Sequence, residues 1–271
     1  MPIKLIAVDM DGTFLNDNKS YNLERFHRLF QRMQQSNIKF VVASGNQYFQ
    51  LRSFFPDIYQ KITFVSENGA NIVKGDKAHW HAKIDAELLK ETLDILENEV
   101  RPLHYLVCGE KSAYISDKVS DKDFEYASFY YPSIKRLSDI RSVVDEEDDL
   151  FKFALSFKEE EAKEKLEQLE LQLQGQLLPV SSGHGDIDII LPGVNKFSGL
   201  SRLGSEWGIS KNEMMAFGDS GNDFEMIQNV KYGMVMENGQ AALKDVAWKV
   251  IGSNNTEALL DMIERVLDGN L

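Results

Sequence analysis

Asp9 and Asp11 stand two residues apart, directly behind the apolar run Leu5-Ile6-Ala7-Val8 and directly before Gly12-Thr13. Unpaired carboxylates are costly inside a core, so a buried strand does not end in two of them by accident. At the carboxyl end of a parallel strand, such a pair faces a ligand crevice. Two anions there invite a hard cation such as Mg2+, and one of them is free to act as a nucleophile. Three further segments fall at the ends of expected strands or the start of an expected helix: Ser44-Gly45-Asn46, Lys196, and Gly218-Asp219-Ser220-Gly221-Asn222-Asp223.

Phosphoryl transfer needs such a set. A nucleophile must attack phosphorus in line with the leaving oxygen, and the charge on the equatorial oxygens must be held by a metal, a cation and hydrogen-bond donors. An acid must protonate the leaving oxygen. Asp9 can attack, and Asp11 can serve as the acid and later as the base toward water. Asp219 can complete a metal site with Asp9 and the backbone carbonyl of Asp11. Ser44, Asn222 and the amides of Met10 and Gly45 can hold a phosphate, and Lys196 can bridge it to Asp9.

The elements that must position these residues alternate in the first third. Strands are expected over 4–10, 39–43 and 62–65, with helices over 22–35 and 47–54. Strand and helix in alternation imply a parallel sheet covered on both faces. The middle reads differently, with a helix over 85–98, strands over 103–107, 113–116 and 150–157, and a charged amphipathic helix over 159–174. Alternation returns with strands over 187–191, 214–217, 232–236 and 248–251 and helices over 196–207, 240–246 and 257–267. The economical reading is an α/β fold in two parts, one sheet formed by residues 1–82 and 188–271 and an inserted α+β unit over 83–187.

The four segments resemble the four motifs of the haloacid dehalogenase superfamily, in the expected order and over nearly the whole chain. The pieces Glu67-Asn68-Gly69-Ala70 and Asp188-Ile189-Ile190-Leu191-Pro192-Gly193-Val194-Asn195-Lys196 are similar to the Cof-type branch, including its bacterial sugar phosphatases. The resemblance implies a Rossmann-like core with an α/β cap inserted between the second and third motifs, Mg2+ dependence and an aspartyl-phosphate intermediate. It carries the family roles onto Asp9, Asp11, Ser44, Lys196 and Asp219, and gives Asp223 a supporting part at the metal. Many Cof-type relatives have Thr-Gly-Arg at the second motif. Here it is Ser44-Gly45-Asn46, without an arginine to grip substrate.

Composition bounds the function further. The 271 residues are 43% hydrophobic and carry a formal net charge of −13. That balance argues against a nucleic-acid or membrane-surface binder, which would present a basic face. The partner expected is a small phosphorylated metabolite, a sugar phosphate by the resemblance. No apolar run approaches about 18 residues, and no signal-peptide segment precedes the first strand, so a cytoplasmic location is expected. Cys108 is the one cysteine and reads as a buried structural thiol. His79 and His81 share one face of a strand-like run and read as surface rather than a metal pair. His184, between glycines, reads equally as a surface turn or a substrate contact. Phe49, Phe54, Phe55, Phe129, Tyr130 and Tyr131 read as packing. No feature sets an oligomeric state.

Two other functions fit parts of the pattern. A phosphomutase on the same core would return the phosphoryl group to a sugar. A receiver-type regulatory domain would also carry a phosphorylatable aspartate and a strand-end lysine. It is about half this length, however, and has no acid two residues after its nucleophile, which makes Asp11 the discriminating residue.

Overall fold

A computed structural model of the chain describes residues 3–183 and 185–271. The N-terminal stretch runs β1 (Leu5–Val8), α1 (Leu23–Gln35), β2 (Lys39–Ala43), α2 (Tyr48–Ser53), β3 (Thr63–Ser66), β4 (Asn71–Lys74) and β5 (Lys77–His81). The middle contains α3 (Ala86–Ile95), β6 (His104–Gly109), β7 (Ala113–Ser116), α4 (Asp121–Tyr130), β8 (Ile134–Leu137), β9 (Leu150–Ser156), α5 (Ala162–Leu173), β10 (Leu178–Gly183) and β11 (Asp186–Ile190). The chain ends with α6 (Lys196–Trp207), β12 (Met214–Gly218), α7 (Phe224–Asn229), β13 (Tyr232–Met236), α8 (Ala241–Val246), β14 (Lys249–Ile251) and α9 (Ala258–Leu267).

Two sheets result. The first has the order β14-β13-β12-β1-β2-β3-β4-β5 and the second β10-β11-β9-β6-β7-β8. In the first, β14 through β3 are parallel, and β4 and β5 extend the edge as antiparallel strands. β1 is Leu-Ile-Ala-Val, buried throughout, because it has a partner on each side and helices over both faces. Its side chains alternate. Ile6 and Val8 pack with Phe26, Met33, Phe55 and Ile263 on one face, and Leu5 and Ala7 with Leu200, Leu203 and Leu243 on the other. The chain leaves β1 toward β2 on one side and returns as β12 on the other. The crevice between them is the point where an open α/β sheet receives ligands.

The second sheet is mostly antiparallel. Phe153 and Leu155 of β9 face the cluster that includes Leu89 and Leu93 of α3 and Leu169 and Leu173 of α5. Lys152, Ala154 and Ser156 alternate with them and face the other way. Helix α4 was not expected. Only Ala127 within it is buried, so no apolar stripe marks it, although Ser120 caps it by accepting from the Asp123 amide.

The strand expected over 187–191 marks the expected return to the first sheet, with a boundary at 187/188. It forms instead as β11 and lies in the second sheet, antiparallel to β10 on one side and β9 on the other. Its apolar run, Ile187-Asp188-Ile189-Ile190, fits a doubly covered strand of either sheet, so composition did not separate the two placements. The crossing to the first sheet follows it, through a turn in which Val194 N–H donates to Leu191 C=O.

Candidate active site

Asp9, Asp11, Ser44, Gly45, Asp219 and Asn222 line one cavity at the carboxyl ends of β1, β2 and β12, and Lys196 and Asp223 join them through Asp9. Asp9 follows β1, and its amide donates to the Phe217 carbonyl of β12 at 3.0 Å. The chain then folds back on itself, with Leu15 N–H donating to Met10 C=O at 2.9 Å. Gly12 has φ +74°, and a Cβ there would stand 2.6 Å from Asp219 Oδ2. Only glycine lets the loop close on that carboxylate. Thr13 Oγ1 donates to Asp219 Oδ1 at 2.8 Å and fixes it.

Lys196 is the first residue of α6. Asn195 caps that helix, accepting from the Ser198 amide, while Ser198 Oγ accepts from the Asn195 amide. The cap holds Lys196 pointing inward, fully buried, with Nζ 2.6 Å from Asp9 Oδ1, 2.7 Å from Asp223 Oδ1 and 3.2 Å from Asn222 Oδ1. Asp223 Oδ2 accepts from the amides of Asp219 and Ser220. Asp9, Asp219 and Asp223 each offer an oxygen within 4.8 Å of the others.

The Asp11 carboxylate belongs to the same cavity lining. It stands outside the cluster of Asp9, Asp219 and Asp223 and is held by Lys19 Nζ at 2.5 Å and Asn46 Nδ2 at 2.6 Å. Asn46, the residue in place of arginine at the second motif, donates to Asp11. Asp223, expected only behind the metal, stands among the clustered carboxylates.

Burial sets the electrostatics. It pushes the Asp9 carboxyl well above the usual range against the pull of Lys196, with repulsion from Asp223 and Asp219 adding to the rise. Asp219 is pushed up to about 6, by burial first and Asp223 next. Burial works against the Lys196 ammonium, but Asp223 and Asp9 outweigh it and hold the charge. One buried cation faces three carboxylates, and the oxygen-only donor set suits a small divalent cation.

A cavity of about 710 Å³ opens above the cluster. Asp9, Asp11, Ser44, Gly45, Asn46, Asp219 and Asn222 line its floor, and His104, Tyr126, Tyr130, Ser156 and Asp186 line the side formed by the second sheet and α4. Tyr130 therefore borders the cavity, whereas Phe55 is core and Phe129 is half exposed. Cys108 is buried. His79 and His81 pair with different carboxylates, Glu206 and Asp149, and join no metal-like group among the described residues. His184 lies outside the described residues.

The sequence matches the family of haloacid dehalogenase-like hydrolases over residues 6–263. The chain belongs to that family. This hydrolase is 41% identical over 268 residues to the 5-amino-6-(5-phospho-D-ribitylamino)uracil phosphatase YbjI of Escherichia coli (strain K12), spanning 98% of this chain and 97% of that one. The crystal structure of SMU.1108c from Streptococcus mutans UA159 superposes with a TM-score of 0.91 at 35% identity, over 98% of this chain and 99% of that one. The HAD subclass IIB sugar phosphatase BT4131 shares the fold, with a TM-score of 0.80 at 19% identity over 99% of this chain and all (100%) of that one. The architecture is the Rossmann-like core of that family with an inserted α+β cap, here carried by the first and second sheets.

Lys152, which no motif singles out, joins residues of the two Cof-type pieces beside the Ser44-Gly45-Asn46 segment. Lys152, Glu67, Asp188 and Asn68 are all buried there. A signal existed for Lys152, a lysine between Phe151 and Phe153 in a strand too apolar to expose it.

Proposed function

We propose that this hydrolase is a Mg2+-dependent phosphatase of small phosphomonoesters, working through an aspartyl-phosphate on Asp9. The observation that carries the reading is the Asp9 carboxylate at the floor of the cavity, gripped by Lys196 at 2.6 Å beside two further carboxylates. Mg2+ would be held by Asp9 and Asp219, with Asp223 beside them and the Asp11 carbonyl available, and would supply charge stabilisation to the transferring phosphoryl group.

The chain's own residues do the rest. An Asp9 oxygen attacks phosphorus, and the bond to the leaving oxygen breaks as Asp11 delivers its proton there. Asp11 then takes a proton from water as that water attacks the aspartyl-phosphate, freeing inorganic phosphate and restoring Asp9. Lys196, Ser44, Asn222 and the amides of Met10 and Gly45 hold the phosphoryl oxygens. Lys19 and Asn46 keep Asp11 oriented at the cavity floor.

The lining of the upper cavity supports a substrate class. Residues 83–190 act as the cap, and the chain up to 82 and from 191 acts as the core. Ser156 and Asp186, hydrogen-bonded to each other on the cap, offer polar partners for hydroxyl groups, and Tyr126, Tyr130 and His104 offer an aromatic wall in which the two tyrosine rings are inclined at 62°. A sugar or sugar-alcohol phosphate fits that lining. The substrate in the name of the Escherichia coli relative joins a phosphorylated ribityl chain to a uracil ring, and the tyrosines suit such a ring. The test is a phosphate-release screen over many phosphomonoesters with Mg2+, repeated in EDTA. Release from sugar phosphates that stops in EDTA is expected. Turnover that survives complete metal removal sinks the mechanism, and absence of release from every ester sinks the function.

A further inference from the structure

The mechanism leaves one buried ionic cluster unused. Lys152 of β9 has a fully buried side chain, yet it comes from the cap and reaches into the core. Its Nζ lies 2.6 Å from Glu67 Oε2, 2.8 Å from the Gly45 carbonyl, 3.1 Å from the Tyr131 hydroxyl and 3.5 Å from Asp188 Oδ1. Burial opposes its charge, but Asp188 and Glu67 outweigh burial and keep it protonated. A buried lysine is costly, and apolar replacements of such clusters are often as stable.

Glu67 opens an unusual elbow. Glu67, Asn68 and Gly69 have φ of 52°, 54° and 94°, three left-handed residues in succession. Glutamate rarely adopts this backbone, and such strain persists only where the surroundings over-determine it. The surroundings here are the phosphate-side segments. The amides of Glu67 and Asn68 donate to the carbonyls of Asn46 and Ser44. Asn68 Oδ1 accepts from Asn222 Nδ2 at 3.0 Å, and Asn68 Nδ2 donates to Asp188 Oδ2 of the cap at 2.6 Å. A Cβ on Gly69 would stand 2.1 Å from the Asn195 carbonyl, one residue before Lys196. The elbow therefore touches three of the four segments that surround the phosphoryl group, and the cap holds it through Lys152 and Asp188.

We infer that Lys152 and Glu67 are positioning residues: through the 67–69 elbow, they tie the seating of the cap to the placement of the Gly45 and Asn222 groups that hold phosphate. The inference rests on the phosphatase reading above. Lys152 fixes Gly45 by its carbonyl, and Gly45 lines the cavity. Asp188 fixes Asn68, which in turn orients the Asn222 amide group. A cap that is not seated leaves both phosphate donors without their support.

The test compares acetyl phosphate, too small to need the upper cavity, with a sugar phosphate that the wild-type protein hydrolyses. The paired variant Lys152→Met with Glu67→Gln removes the strut without leaving Glu67 as an unpaired buried charge. Turnover of acetyl phosphate is expected to fall about 10- to 100-fold, the scale of a small misplacement of reacting groups, with inhibition by inorganic phosphate weakened in parallel and circular dichroism unchanged. A cap-holding role alone would lower only sugar-phosphate turnover. A folded variant that cleaves acetyl phosphate at the wild-type rate overturns the inference. Glu67→Gln alone, which keeps the side-chain volume, carries the same comparison if the paired variant does not fold. A wild-type protein that cleaves neither ester counts against the phosphatase reading instead.

Discussion

Lys196 Nζ rests 2.6 Å from Asp9 Oδ1, across 187 positions of chain, with the lysine side chain fully buried. The contact joins the two halves of the core sheet at its switch point. It also creates an imbalance, because the same ammonium must serve Asp223 while Asp219 stands beside both. A group that brings further positive charge to this cluster relieves it.

Asp9→Asn keeps the shape and the hydrogen bond but removes the nucleophilic carboxylate. Turnover is expected to fall by about 10⁴-fold or more, with the circular dichroism spectrum unchanged. Steady-state phosphate release checks it, and ordinary activity would refute the nucleophile assignment.

Asp11→Asn retains a partner for Lys19 and loses the proton donor. A drop of about 10²- to 10⁴-fold in turnover is expected, with phosphorylated protein accumulating because the second half-reaction lacks its base. Acid-quenched samples examined by mass spectrometry would reveal it. Wild-type turnover in this variant would remove Asp11 from the chemistry.

Lys196→Met strands Asp9 and Asp223 without their cation. Loss of one partner from a buried pair costs about 3–5 kcal/mol, which urea denaturation in EDTA would measure. Added Mg2+ is expected to recover part of the loss, because it binds the folded cluster and not the unfolded chain. A variant as stable as wild type in EDTA would mean that the cluster carries less charge than its geometry implies.

Burial holds the His104 imidazole below its ordinary pKa, with Asp123 opposing. Between the ordinary value near about 6.5 and its lower folded value, the unfolded chain binds more protons than the folded one. Stability therefore falls as pH drops through that window and is fully present above it. His104→Gln is expected to flatten the slope of Tm against pH between about 5 and 7. An unchanged slope would remove His104 as its source.

The place where the carboxylates gather was legible because charge is informative where strands are apolar. Asp9 after Leu-Ile-Ala-Val and Asp219 after Met-Met-Ala-Phe-Gly have no structural excuse, so their types and positions announced a crevice. The return to the core was misread because β11 is equally apolar, and only its pairing with β9 and β10 assigns it to the cap. The direction of the Asp11 side chain was also illegible, since it is set by Lys19 and by Asn46, 35 positions away. Lys152 and Glu67 are 85 positions apart by number, and nothing in either local sequence names the other.

The left-handed elbow sets the terms on which this protein can acquire a new specificity. Recombination that exchanges residues 83–190 for the cap of a relative would also exchange Lys152 and Asp188, while Glu67 and Asn68 stayed behind. An incoming segment without a lysine and an acid in those registers would leave a buried carboxylate and a strained turn without support. The heritable module is therefore the insertion together with residues 67–69, and chimaeras that carry both are expected to fold where exchanges of the insertion alone do not.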